Sequence, residues 1–376
     1  MELQVFVLLF CIPLVALSWA LPESWQRYPG MLITALFLGL YAPESLVILT
    51  LTTLFSYYVL KYSTHIAAAL IVVCVLVFSV FMFFKLGLGK TIWIERWLPL
   101  GISYYSFRQI HYAMEAYKRK LPPHDLKDYF AYLFFLPTLL VGPIHRFPEF
   151  MKDGRRRRWN NELFSEGLER ILYGFVKAIV LGNYLISERG GALMDLLEAK
   201  GYLWLSTYVD VVRYIANSYM QFAGFSDIAI GLSLLLGYRI MENFDSPFRA
   251  VDISDFWQRW HISLSTWCRE YVYYPFYSVT RNYYVGILFS MLILALWHDI
   301  TWQYLAWAAV HVIGINTWHI YHRSALRVQL HRFMFAPVFW GRFITFHFVV
   351  LSFVLISGKN GEEIWRTFKI LFGFHV

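Results

Sequence analysis

The stretch "GILFSMLILALWHDITWQYLAWAAVHVIGINTWHI", residues 286–320, decides the fold class. It is almost wholly apolar for 35 residues. As one helix rising 1.5 Å per residue it would extend about 52 Å, well beyond bilayer hydrocarbon about 30 Å thick. The chain must therefore break or turn, and the polar cluster in the middle is "WHDIT", Trp297 to Thr301. A histidine beside an aspartate is expensive to bury in hydrocarbon, and ionisable residues at membrane depth default to a functional reading. The alternative is a plain surface loop joining two spans.

Working outward, the composition agrees with lipid as the solvent. Of the 376 residues, 58% are hydrophobic, 20% aromatic and only 15% charged, with a mean hydropathy of +0.48; soluble domains carry about 25% charge. A transmembrane barrel would show alternating ten-residue strands separated by turns, and no such pattern is seen. The expected fold class is an all-α polytopic membrane protein, a single integral membrane domain over 1–376. Apolar segments fall at roughly 2–21, 31–42, 45–61, 65–85, 93–111, 129–147, 168–187, 203–222, 226–240, 283–297, 301–321, 335–357 and 363–374. About 10–11 transmembrane helices plus re-entrant and interfacial helices are expected. Leu3 to Leu21 lacks the basic flank and cleavage site of a secretory signal and reads as a retained first helix.

The net charge of +8 sits in short connections between apolar runs, with no nucleic-acid motif. Positive-inside topology accounts for it, and "GRRRRW" (Gly154 to Trp159) marks the cytoplasmic side. No nucleic-acid partner is expected; the partner common to every segment is membrane lipid. Cys11, Cys74 and Cys268 have neither disulfide nor metal spacing. His319 and His322 are three residues apart on a helix but have no carboxylate cluster beside them, so no metal site is expected.

One segment departs from a simple span. "YFAYLFFLPTLLVGPI" (129–144) lies between Lys118, Arg119, Lys120 and Lys127 on one side and Arg146, Lys152 and Arg155 to Arg158 on the other. A full crossing would leave one basic cluster outside. Pro137 and the pair Gly142-Pro143 interrupt any helix. A re-entrant or broken segment is predicted, with a proline-kinked span as the alternative.

A second polar stretch is "VDISDFWQRWHISLSTWCREYVYYPF" (251–276). Phe256, Trp260, Leu264, Trp267 and Tyr271 recur at helical spacing, predicting one amphipathic helix that ends before Pro275. Asp255 and Arg259 form an i,i+4 pair. Histidine suits acid–base work near neutral pH, and no nucleophile elbow or zinc motif appears.

At these residues the chain resembles the membrane-bound O-acyltransferase family, and most closely its bacterial branch, which includes the alginate O-acetyltransferase membrane subunit and the teichoic-acid D-alanyl transfer protein. Five blocks within a core of residues 95–320 carry the likeness: "LPLGISYYSFRQIHYAMEAY" (98–117), "FFLPTLLVGPIHRFPEF" (134–150), "QFAGFSDIAIGLSLLLGYRIMENFDSPFRA" (221–250), "DFWQRWHISLSTWCREYVYYPF" (255–276) and "LWHDITWQYLAWAAVHVIG" (296–314). One departure stands out: the tryptophan–histidine block continues as "YYPFYSVTRN", without the glycine turn of alginate-type relatives.

The resemblance implies an acyltransferase core with signature histidines His261 and His298, the latter at the base of a funnel joined to a tunnel. It implies an acyl thioester donor from the cytoplasm, either acetyl-coenzyme A or a phosphopantetheine carrier protein, with no permanently bound cofactor. The acceptor is an extracytoplasmic polysaccharide hydroxyl or a partner acetyltransferase, and the setting is the bacterial inner membrane. His298 is expected to act as general base, with His261 supporting the donor side. Arg259 and Arg269 are placed to attract donor phosphates, unless they pair with Asp255 and Glu270. Trp257, Trp260, Trp297, Asp299, Asp227 and Asn243 complete the candidates for donor binding or tunnel lining. D-alanyl transfer towards teichoic acid is the second reading, and a glycan or lipid transporter is the alternative from another class.

Overall fold

The computed structural model describes residues 2–88, 99–325, 327, 329 and 335–374, with side chains from Val7 onward. The chain divides into two compact units, residues 1–173 with 225–242 and residues 174–224 with 243–376.

In the first unit, helices α1 (Glu2–Ala20), α2 (Tyr28–Tyr41), α3 (Pro43–Tyr62), α4 (Ile66–Lys85), α5 (Ile102–Tyr117), α6 (Leu126–Leu133) and α7 (Phe147–Arg156) follow one another. The first part of the predicted segment 93–111, residues 93–98, lies outside the described residues; α5 covers it from Ile102. Helix α3 turns Ser45, Thr52, Thr53 and Ser56 inward and leaves Val47, Leu51 and Phe55 exposed. This inversion suits lipid, where small and polar residues join helices and branched apolar ones face the tails. Accordingly Ser56 Oγ lies 3.0 Å from Tyr129 Oη, and Gln109 Nε2 donates to Thr52 Oγ1 at 2.8 Å.

The segment 129–147 is broken where its prolines require. Helix α6 is closed at its start by reciprocal Asp125 and Asp128 bonds. A short 3₁₀ turn follows at Leu136–Thr138, and irregular chain leads to α7. Gly142 has φ +141°, and a Cβ there would lie 2.8 Å from that of Ala229. The carbonyls freed by the break are taken by side chains: Arg108 Nη1 donates to Tyr132 O at 3.0 Å, Thr34 Oγ1 to Phe134 O at 2.6 Å and Tyr132 Oη to His145 O at 2.8 Å. Buried irregular backbone survives away from water only with such partners.

Helix α8 (Asn161–Phe175), a π-wound stretch (Val176–Arg189) and α9 (Gly190–Ala199) form one long rod. Helix α10 (Leu203–Leu235) is continuous over 33 residues, correcting the two segments predicted at 203–222 and 226–240. Gly224 does not break it. A Cβ there would come 2.6 Å from Gly174 O, so this glycine permits close approach of two backbones.

The second unit continues with α11 (Ile253–Arg259), α12 (Ile262–Cys268), a π-wound turn (Arg269–Tyr273), α13 (Tyr274–Thr280), α14 (Tyr283–His298), α15 (Trp302–Arg323), α16 (Pro337–Ser357) and α17 (Gly361–Leu371). Among the described residues, four rods are long and apolar enough to cross a membrane: α3, α4, Asn161–Ala199 and α16. The apolar helices Val7–Ala20 and α14 are shorter. The molecule is an all-α membrane protein.

Candidate active site

The 35-residue apolar run folds into α14 and α15, and the break falls inside "WHDIT". Helix α14 stops at His298 because Asp299 adopts extended geometry, φ −164°, and its own carboxylate accepts from Ile300 N at 2.9 Å. Such local bonds compete with helix continuation. The exposed His298 ring stacks on Tyr304, with centroids 5.3 Å apart and planes 8° from parallel. Trp297 stands 4.5 Å away and Trp307 6.0 Å.

The predicted single helix over 251–275 is likewise broken, between α11 and α12. His261 occupies the left-handed region, φ 46° and ψ 52°, a conformation that costs a non-glycine residue about 1–3 kcal/mol. Periodicity could not reveal this, because one strained residue between two helical turns leaves the spacing almost intact. The strain is held in place by Asn243: its carbonyl accepts from Ile262 N at 2.8 Å, and its Oδ1 accepts from Ser263 Oγ at 2.6 Å. Asn243 thus fixes the start of α12 and so the direction in which His261 points.

The His261 ring is 2% exposed. Phe222 meets it edge-on at 4.6 Å, and Trp297 meets it at 5.4 Å. Neither ring nitrogen has a hydrogen-bond partner among the described residues. An unsatisfied buried polar group costs about 1–3 kcal/mol, so the two nitrogens leave hydrogen-bonding capacity open here. Trp297 touches both histidine rings. The sequence-predicted residues His261, Trp297 and His298 therefore converge on one cluster.

A model of the membrane-bound O-acyltransferase family matches residues 31–357. The chain belongs to that family. It is 34% identical over 281 residues to a probable alginate O-acetylase of Pseudomonas aeruginosa, covering 74% of this chain and 52% of that protein. It is 29% identical over 278 residues to a teichoic acid D-alanyltransferase of Bacillus subtilis, covering 69% of each. Against a peptidoglycan O-acetyltransferase of Helicobacter pylori the identity is 28% over 310 residues, covering 74% of this chain and 57% of that one. The chain thus spans about half the length of the Pseudomonas aeruginosa relative.

Within this family member, the remaining predicted residues fall elsewhere. Arg259 is engaged by carboxylates: Nε donates to Asp255 Oδ1 at 2.6 Å, and Nη1 to Asp245 Oδ2 at 3.2 Å. Its guanidinium, held by Asp255 first, is pushed above its ordinary pKa. Arg269 is exposed at the start of the π-wound turn. Trp260 stacks on Phe256 at 5.5 Å and meets Phe244 edge-on at 5.2 Å, as a packing residue of the core. Asp227 lies in the other unit, paired to Arg170 at 2.8 Å.

Sequence reasoning missed His311. Fully buried on α15, it accepts at Nδ1 from Trp257 Nε1 at 3.3 Å and faces Ser352 Oγ with Nε2 at 3.0 Å. An indole nitrogen only donates, so the proton sits on Nε2 and goes to Ser352, whose hydroxyl donates to Val349 O at 2.7 Å. The chain of bonds closes without a charge. Trp307 packs on the His311 ring at 4.7 Å and on His298, so the hydrogen-bonded histidine backs the wall behind the exposed one. The available signal was a single imidazole in "AWAAVHVIG", a polar residue in an otherwise apolar helix.

Proposed function

We propose that this protein is a membrane-embedded O-acyltransferase in which His298 is the general base and His261 supports the acyl donor. The observation that carries the reading is the contact of both imidazoles with Trp297, one exposed at a helix end and one buried with its nitrogens unpartnered among the described residues. The rings touch the same indole at 4.5 Å and 5.4 Å.

The chemistry balances with these groups alone. His298 takes the proton of an acceptor hydroxyl as the oxygen attacks the thioester carbonyl carbon. The carbon–sulfur bond breaks, and the departing thiolate takes the proton back from the imidazolium. Positioned proton transfer contributes about 10²- to 10⁴-fold, and alignment of donor and acceptor in a tunnel contributes further. His261 serves the donor side by offering a hydrogen bond to the thioester region.

Acetyl transfer from coenzyme A or a phosphopantetheine carrier towards an extracytoplasmic polysaccharide, or towards an acetyltransferase partner, is the first reading. The several alginate O-acetylases among the relatives support it. Transfer of D-alanine is the second, supported by the relatives named for that activity. The bacterial inner membrane is the matching location. Membranes containing the protein and its partner, supplied with radiolabelled acetyl-coenzyme A or with D-alanyl carrier, distinguish the donors. Acetyl incorporation that disappears in His298→Ala at equal protein level is the expected result. Full incorporation in that variant would overturn the assignment.

A further inference from the structure

The first unit holds a polar cavity of about 420 Å³ whose walls include Arg27, Arg155, Arg157 and Arg158, with Glu23 and Asp128 as its acids. The acids do not balance the arginines. Asp128 is taken up by Arg27, Nη1 to Oδ1 at 2.8 Å, which leaves three guanidinium groups facing one carboxylate. Arg155 donates to Pro123 O through Nη2, while Arg158 is exposed and makes no hydrogen bond or ion pair among the described residues.

Arg157 is preorganised. Its guanidinium lies on the face of Trp19, 4.2 Å from the ring centroid, and Nη2 donates to Ser18 O at 3.3 Å. Its Nε is buried without a partner among the described residues. Room for the side chain comes from Gly237, φ +81°, where a Cβ would lie 2.9 Å from Arg157 Cγ and 3.2 Å from the Trp19 ring. An arginine held by stacking loses little further freedom on binding an anion, and its planar donors match a phosphate.

Aromatic rings gather beside the cavity. Trp19 meets Trp159 at 5.3 Å, and Trp25 meets Tyr28 at 5.4 Å, beside Ser24 and Gln26 in the cavity wall. Tryptophan and tyrosine gather where hydrocarbon gives way to headgroups. Arginines just outside that level on the cytoplasmic face attract anionic lipid.

We propose that this cavity binds a phosphate-bearing anion, presented either as the headgroup of an anionic phospholipid or as a soluble phosphate. Native mass spectrometry of the full chain, released from nanodiscs of equal dioleoyl phosphatidylglycerol and dioleoyl phosphatidylcholine, measures the lipid arm; a thermal shift with inorganic pyrophosphate measures the soluble arm. Retention of phosphatidylglycerol at least tenfold over phosphatidylcholine assigns the headgroup, and stabilisation by pyrophosphate alone assigns the soluble source. In the double variant Arg155→Gln/Arg158→Gln either signal falls at least tenfold. Arg158→Gln alone, at an exposed side chain, lowers it at least threefold without affecting folding, and Arg156→Gln, outside the cavity wall, leaves it unchanged. No preference in either arm, or a preference that survives Arg158→Gln and the double variant, would overturn the proposal.

Discussion

His261 carries two energetic burdens at once, a left-handed backbone and an imidazole with no partner among the described residues. Two substitutions separate them. In His261→Gly the ring's packing against Phe222 and Trp297 is lost, but the backbone strain is relieved, because glycine enters this region freely. In His261→Ala the same packing is lost and the strain stays, so the variant melts lower than the glycine one by an amount equivalent to about 1 kcal/mol. If the imidazole acts on the donor, both variants lose acyl transfer to the same extent despite their different stabilities; activity that tracks melting temperature instead would make His261 a structural residue. Asn243→Ala is expected to cost about 1–3 kcal/mol in denaturant-free thermal unfolding, since it strips the partner from a buried Ser263 hydroxyl. An unchanged melting curve would mean that α12 is held from elsewhere.

At the scale of the elements, glycines that touch backbone are the sharpest test of the packing. Gly224→Val must push the Gly174 carbonyl away from 2.6 Å, and overpacking of this kind costs about 1–3 kcal/mol. Gly191→Ala, where a Cβ meets nothing within 4 Å, is expected to be neutral or stabilising. Equal melting temperatures for the two would contradict the close crossing of α10 on the rod that begins at Asn161. The same scale shows what the sequence allowed to be read. Length alone required a break in residues 286–320, and the prolines located another at 137 and 143, because both are hard geometric limits. The break at His261 rests on one dihedral angle and a bond from Asn243, eighteen residues away, which no local pattern encodes. The gap between the predicted segments 203–222 and 226–240 is absent from α10, and Gly224 within it could not be read locally, because a glycine that ends a helix and one that lets two helices touch are identical in sequence.

For the molecule as a whole, the same logic explains why the histidine pair could be read and His311 could not. His261 and His298 have polar neighbours in sequence, within quotable blocks, whereas His311 is hydrogen-bonded by Trp257 and Ser352, residues 54 and 41 positions away. The arginine-rich connections make a topological prediction. Lys118 to Lys127 and Arg146 to Arg158 flank a segment that never forms a span-length helix, so single cysteines at Lys120 and Arg156 are expected to react with a membrane-impermeant maleimide from the same face. Labelling from opposite faces would restore a full crossing between them and contradict the broken-segment reading.

The central claim is that His298 exchanges the proton of the acceptor. Its most direct measurement is the rate of acetyl transfer by His298→Gln and His298→Ala in sealed membranes, normalised to folded protein by size-exclusion profile. A fall of about 10²-fold or more in both, with folding intact, is the predicted result. Transfer at the wild-type rate in either variant would contradict it.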